Sequence, residues 1–197
     1  MSKATNITYH PGKLVRNDRA AVTGSKGLTV WMTGLSGSGK STLAVAIEAA
    51  LVTKGVAAFR LDGDNVREGL CKDLGFSAEE RRENIRRVAE VACLMNQAGL
   101  VTLVSLITPT ADLRALAREI HAAHNAPFLT CYVEASVETC KTRDPKGLYA
   151  RAETGEIPNF TGISAPFDIP ENADLVLKTE SYSVETLIEQ AIGRIAP

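Results

Sequence analysis

From Gly27 onward, short β-branched or apolar runs alternate with longer amphipathic stretches, the pattern of βαβ units built around a buried parallel sheet. The runs predict strands over Leu28–Thr33, Val56–Leu61, Leu100–Ile107, Phe128–Val133 and Asp174–Lys178. Between them, Ser77 followed three positions later by Glu80 forms a capping box, and Ile85, Val88, Ala89, Ala92 and Met95 recur at helical spacing until Gly99. A helix is expected from about Lys40. Another follows Pro109, with Leu113, Leu116, Ala117 and Ile120 on one face, and a last one runs from about Ser183 to Ile195. Stripes of this kind belong to a core rather than to a cofactor box. Residues before Gly27 carry the breakers Pro11, Gly12 and Gly24 and no sustained periodicity, which predicts an arm packed on the domain or on a partner.

The chain has 197 residues, of which 45% are hydrophobic and 23% charged. That suits one α/β domain over 27–197 behind an arm over 1–26, and excludes a disordered or fibrous chain. Lys and Arg number 22 against 23 Asp and Glu. With no global field to hold a nucleic acid or an anionic membrane, neither is expected as a partner, and any anion site has to be local. Cys71, Cys93, Cys131 and Cys140 form no CxxC pair and no Cys/His cluster, as expected of a protein kept in a reducing cytoplasm. No apolar stretch approaches the roughly 18 residues of a membrane span, and the N-terminal residues lack the apolar centre of a secretory signal.

The most informative segment runs from Gly34 to Thr42, Gly-Leu-Ser-Gly-Ser-Gly-Lys-Ser-Thr, directly after a predicted strand and before a predicted helix. It satisfies the G-x-x-x-x-G-K-[ST] phosphate-loop pattern in the right context. Gly34, Gly37 and Gly39 let the backbone around Ser38 turn its N–H groups toward phosphate oxygens, and the helix starting near Lys40 adds its positive end. Lys40 is expected at the β- and γ-phosphates of ATP, and Ser41 at Mg²⁺. A nucleoside triphosphate donor follows; the acceptor does not, because GTPases, motor ATPases and metabolite kinases share the loop. No Asn-Lys-x-Asp guanine signature is present.

Asp62-Gly63-Asp64-Asn65-Val66-Arg67 closes the second predicted strand, at the carboxyl edge where α/β sheets bind ligands. Two readings fit this segment alone: an acceptor-orienting carboxylate beside a metal-supporting one, or a solvated Asp-Gly turn. Farther on, Arg82, Glu83 and Arg86 read as a solvated helix face. Arg81 and Asn84 share one face near the helix start, and Phe76 just upstream can stack on an aromatic ring.

These segments resemble the adenylyl-sulfate kinase family. The resemblance runs through the phosphate loop, Leu61–Arg67, Asp73–Ser77, Glu83–Val88, Arg143–Tyr149 and Phe160–Ile163, and touches the arm at His10-Pro11-Gly12 and Arg16. The loop followed by Asp-Gly-Asp-Asn-Val-Arg and Lys-Gly-Leu-Tyr is what makes it specific. It implies a three-layer P-loop kinase fold with a mainly parallel five-stranded sheet and a mobile lid. It implies transfer of the ATP γ-phosphoryl group to the 3′-hydroxyl of adenylyl sulfate with Mg²⁺, in sulfate activation, by a homodimer.

Carried over residue by residue, the resemblance makes Asp64 the group that orients or deprotonates the acceptor hydroxyl, with Asp62 supporting the metal beside Ser41. Lys40, Ser41, Thr42 and Arg143 serve ATP. Arg67, Arg81 and Asn84 grip the phosphosulfate and sugar, Phe76 and Phe160 bracket the adenine, and Asn65, Ile107, Thr108, Lys146 and Asn159 complete the acceptor site. The stretch from Arg143 to Phe160 is the expected lid, and its composition also suits an ordinary surface helix and loop. Ile107-Thr108-Pro109 departs from the family's common Ile-Ser-Pro; threonine keeps the hydroxyl, and in-line transfer needs no phosphoenzyme. Two other readings share the loop: a different small-metabolite kinase, and a non-catalytic sensor of adenylyl sulfate, which would be expected to have lost Lys40, Ser41 or Asp64.

Overall fold

The computed structural model describes residues 6–8 and 10–195. The outer part of the expected arm, residues 1–5 and Tyr9, and the last two residues of the expected domain lie outside the described residues. In chain order the elements are α1 (Arg16–Thr23), β1 (Leu28–Thr33), α2 (Lys40–Thr53), β2 (Ala58–Asp62), α3 (Gly63–Glu68), α4 (Ala78–Gln97) and β3 (Val101–Ser105). They continue with α5 (Ala111–Ala123), β4 (Phe128–Glu134), α6 (Val137–Arg143), α7 (Leu148–Glu153), β5 (Leu175–Lys178) and α8 (Val184–Ile195).

The strands form one five-stranded sheet in the order β2-β3-β1-β4-β5. Every neighbouring pair is parallel, so the expected mainly parallel sheet is parallel throughout. Strand periodicity puts alternate residues of β1 on opposite faces. Val30 and Met32 join Leu43, Ile47, Leu51, Leu187 and Ala191 under α2 and α8. Trp31 joins Ile85, Val88, Leu113 and Ala117 under α4 and α5. The sheet therefore has helices on both faces, which is why its central strands read as continuous apolar runs. β2 begins at Ala58 rather than Val56, because the Val56 and Ala57 N–H groups donate to Leu51 O and Thr23 O instead of to a strand.

The arm departs from expectation: it contains α1, a helix with no buried residue. Polar contacts anchor it. Arg16 donates from one guanidinium nitrogen to Asn96 Oδ1 at 2.5 Å and Lys26 O at 3.2 Å, and from the other to Asn125 O at 3.2 Å. Gly24, at φ 69°, ends the helix in the left-handed conformation open to glycine. A helix held this way has no apolar stripe, which is why periodicity misses it.

Asn96 connects this anchor to a buried polar line beneath α4 and α5. Its Nδ2 donates to Pro127 O at 2.8 Å and to Thr29 Oγ1 at 3.3 Å, and Thr29 Oγ1 lies 3.0 Å from His121 Nε2. His121 Nδ1 lies 2.7 Å from Ala117 O, so the neutral ring donates there and accepts from Thr29. Burial holds the His121 imidazole below its ordinary value near 6.5. The unfolded chain then takes up a proton that the native state refuses, and stability falls as pH drops through that ordinary value toward the lower native one. Thermal melts should show a lower midpoint at about pH 5.5 than at about pH 7.5, with a smaller difference in His121→Gln. Equal differences in the two proteins would contradict this.

Candidate active site

The sheet order places β1 between β3 and β4, and the chain leaves β1 at the point where connections diverge to the two sides. Ligands bind at such a switch point in open α/β sheets. Register aligns the carboxyl ends there, with Met32 opposite both Ser105 and Cys131 and Asp62 opposite Ser105.

The phosphate loop spans the gap from β1 to α2. A Cβ at Gly34 would stand 2.5 Å from Val133 O, and Gly39, the residue before α2, sits at φ 101°; side chains are excluded from both positions. Lys40 folds back into the loop and is buried, its ammonium donating to Gly34 O at 2.8 Å and Leu35 O at 2.6 Å. Burial lowers its pKa to about 8, against the raising influence of Cys140, Asp62 and Asp64. Ser38 is buried and Thr42 exposed on the first turn of α2.

From Ser41 a line of contacts crosses to the opposite wall. Ser41 Oγ donates to Asp62 Oδ2 at 2.6 Å, and Asp62 Oδ1 accepts from the Asp64 N–H at 3.1 Å. Asp62 is nearly buried, whereas Asp64 stands exposed on α3, where its carboxylate pairs with Lys146 from the segment between α6 and α7. The Asp-Gly segment is thus the start of a helix capped by Asp62 rather than a solvated turn. Among the described residues no cluster of three or more His, Cys, Asp or Glu forms a metal cage. The hydroxyl of Ser41 and the carboxylate of Asp62 are hard oxygen donors, and they fit Mg²⁺, which takes few protein ligands and keeps phosphate and water.

The remaining predicted residues divide into groups. Arg67 donates to Leu74 O and Gly75 O, both at 2.9 Å, with its guanidinium 4.3 Å from the centre of the exposed Phe76 ring. Arg81 donates to Phe76 O at 2.9 Å and to Asn159 O at 3.0 Å, tying α4 to the loop before Phe160. Between them opens a cleft of about 590 Å³, lined by Phe76, Arg81, Pro109, Asn159 and Thr161 among others. Asn84 is buried, and its Nδ2 finds no partner among the described residues. Asn65 is exposed on α3.

Two residues sit differently from their neighbours. Phe160 is buried edge-on against Tyr149, with ring centres 5.0 Å apart, so Asn159 and Thr161 rather than its ring line the cleft opposite Phe76. Thr108 is buried at φ 44°, and its hydroxyl accepts from Trp31 Nε1 at 2.9 Å. Ile107 O meanwhile accepts from Thr33 Oγ1 at 2.6 Å and from the Gly34 N–H at 3.3 Å, joining the β3 end to the phosphate loop.

The expected lid contains the end of α6, then α7, and closes against the phosphate loop through Tyr149, whose hydroxyl donates to Ser36 O at 2.9 Å. Asp144 accepts from the Leu148 and Tyr149 N–H groups and so fixes the start of α7. Arg143, at the end of α6, donates to Thr179 Oγ1 and Thr179 O, both at 2.9 Å. Sequence reasoning singled out neither Thr179 nor Glu180; their position at the carboxyl end of a predicted strand was the available signal.

A triphosphate loop at the sheet's switch point, with an acidic pair beside it and a cationic segment above, defines a P-loop phosphotransferase. Residues 26–178 match the family model described as adenylylsulphate kinase. The chain is 49% identical over 192 residues to the adenylyl-sulfate kinase of Staphylococcus carnosus, covering 98% of this chain and 96% of that one. The solved structure of the Mycobacterium tuberculosis APS kinase in complex with AMPPNP and APS is 46% identical, with a TM-score of 0.84 over 87% of this chain and 98% of that one. A hexameric APS kinase from Thiobacillus denitrificans is 27% identical with a TM-score of 0.64, over 90% of this chain and 31% of that one. The chain belongs to the adenylyl-sulfate kinase family, whose members are ATP-using transferases. Among the described residues no helix is long and apolar enough to cross a membrane.

Proposed function

We propose that the protein transfers the γ-phosphoryl group of ATP to the ribose 3′-hydroxyl of adenylyl sulfate, giving 3′-phosphoadenylyl sulfate and ADP in sulfate activation. The observation that carries this reading is the line Ser41–Asp62–Asp64–Lys146, which runs from the donor's phosphate loop to an exposed carboxylate on the acceptor side. In-line transfer needs that adjacency, with donor phosphates and acceptor hydroxyl held within reach of each other.

The Lys40 ammonium exchanges the Gly34 and Leu35 carbonyls for the β- and γ-phosphates. Ser41 and Asp62 would hold Mg²⁺, which supplies charge compensation between those phosphates when bound. Asp64 orients the 3′-hydroxyl and takes its proton, and Lys146 moves from Asp64 to the anionic substrate. Arg67 and Arg81 present planar donors to the phosphosulfate, and the unpaired Asn84 Nδ2 is a buried donor in need of an acceptor. We assign the adenine to the cleft between Phe76 and the loop carrying Asn159 and Phe160, with Ile107 and Thr108 acting through the backbone that leads into Pro109, which lines it. Arg143 reaches the donor nucleotide. Lid closure would exclude water and suppress ATP hydrolysis.

The homodimer rests on the family resemblance. A cytoplasmic location is supported by Cys71, Cys93, Cys131 and Cys140, which are all free and buried.

The test is ADP release from Mg·ATP with and without adenylyl sulfate, the nucleotide product identified by mass. ADP formation that depends on adenylyl sulfate, with 3′-phosphoadenylyl sulfate as product, is the expected result. Tight binding of adenylyl sulfate without turnover would overturn the proposal in favour of a sensor, and turnover with a different acceptor in favour of another metabolite kinase.

A further inference from the structure

Two consecutive residues just after β5 hold α6 at both of its ends. At the start of that helix, Glu180 Oε1 accepts from the Ser136 N–H at 2.7 Å and from Ser136 Oγ at 2.6 Å, while Ser136 Oγ accepts from the Thr139 N–H at 3.1 Å. At its end, the Arg143 guanidinium is held by the hydroxyl and the carbonyl of Thr179. The same hydroxyl donates to Ser38 O in the phosphate loop at 2.9 Å, and the Thr179 N–H donates to Glu134 O at 3.1 Å. One Thr179 oxygen thus bridges the phosphate loop and the arginine at the root of the lid. Its other contacts anchor it to the end of β4.

Hydrogen bonds from Ser136 and then Thr139 hold the Glu180 carboxyl down at about 2, so it is ionised wherever the enzyme works. Arg143 itself is exposed, and a long side chain at the surface samples many rotamers unless something selects one. Thr179 makes that selection with two charge-assisted bonds, and Glu180 ties down the start of α6 through Ser136. Without them, Arg143 would have to be ordered by the nucleotide at the nucleotide's own expense in affinity.

We infer that Thr179 and Glu180 are positioning residues for the donor nucleotide: by clamping both ends of α6 they set the Arg143 guanidinium over the phosphate loop. This rests on the reading of Arg143 as a nucleotide-binding residue.

The experiment measures the dissociation constant of a non-hydrolysable Mg·ATP analogue and both KM values. The proteins are the unaltered enzyme, Thr179→Val, Thr179→Ser, Glu180→Gln, Arg143→Met and the pairwise combinations with Arg143→Met. Thr179→Val should weaken the analogue and raise KM for ATP by about tenfold, Glu180→Gln by about threefold, with KM for adenylyl sulfate unchanged. Thr179→Ser, which keeps the hydroxyl, should restore affinity, and neither substitution should weaken binding further once Arg143 is Met. Additive losses in the combined variants, or equal losses for both substrates, would overturn the inference. If Thr179→Val does not fold, Thr179→Ser and the Glu180→Gln cycle decide it. The binding measurement needs no acceptor, so a chain that shows the coupling yet turns over no adenylyl sulfate would overturn the functional proposal and leave this one standing.

Discussion

Asp64→Ala should bind ATP and adenylyl sulfate and yet lose acceptor-dependent ADP formation by roughly 10²–10⁴-fold, the span that a positioned general base contributes. Its neighbour Asp62 is nearly buried and already accepts from Ser41 and from the Asp64 N–H, so it has little freedom to meet a substrate hydroxyl. Asp64 is the exposed carboxylate of the pair, and its side-chain partner among the described residues, Lys146, comes from the lid segment and can leave with it. Asp64→Asn is the sharper variant, since it keeps the shape and removes the proton acceptor. Single-turnover measurements with both substrates bound should show the same loss for Asn as for Ala, with dissociation constants within about twofold of the unaltered enzyme. An Asn variant retaining a tenth or more of the rate would show that Asp64 acts by position or charge alone.

Lys40→Met should abolish useful turnover, with roughly 10²–10³-fold lost from kcat and a higher KM for ATP, while the protein melts no earlier than the unaltered enzyme. Activity and stability separate here for a physical reason. The ammonium is buried against two loop carbonyls, and that burial is what lowers its pKa to about 8. In the absence of nucleotide the charge is a cost to the fold, and an apolar chain of similar length relieves it. The β- and γ-phosphates turn this cost into catalysis, because a charge already desolvated acts on the transferring group without further reorganisation. A Met variant that melts well below the unaltered protein would show that the Lys40–carbonyl bonds hold the loop together, and the activity loss would then be one of structure.

What was legible in the sequence followed from local rules. The capping box at Ser77 and Glu80 closes as expected, with Ser77 Oγ accepting from the Glu80 N–H and Glu80 Oε2 from the Ser77 N–H. β1 keeps its predicted bounds, and the phosphate loop lies between strand and helix where the glycine spacing demands. Asp64 and Lys146, 82 positions apart in the chain, meet in the structure. Their juxtaposition could be reached from the family resemblance and not from periodicity. α1 was illegible because Arg16, Asn96 and Asn125 hold it through polar contacts between distant segments. The direction of the Thr108 hydroxyl was illegible for a similar reason, since its partner Trp31 belongs to a strand far away in sequence.

By itself, the sequence determined the fold class, the donor's phosphate loop and the acidic segment beside it. Each depends on repeats or spacings within a few residues, where backbone geometry leaves few choices. Only the tertiary structure decided which carboxylate is buried and which is exposed, that Phe160 packs on Tyr149 while the Phe76 ring is exposed beneath Arg67, and that Thr179 and Glu180 grip both ends of α6. Those outcomes depend on which segments the five parallel strands bring to one edge of the sheet, and parallel pairing joins residues far apart along the chain.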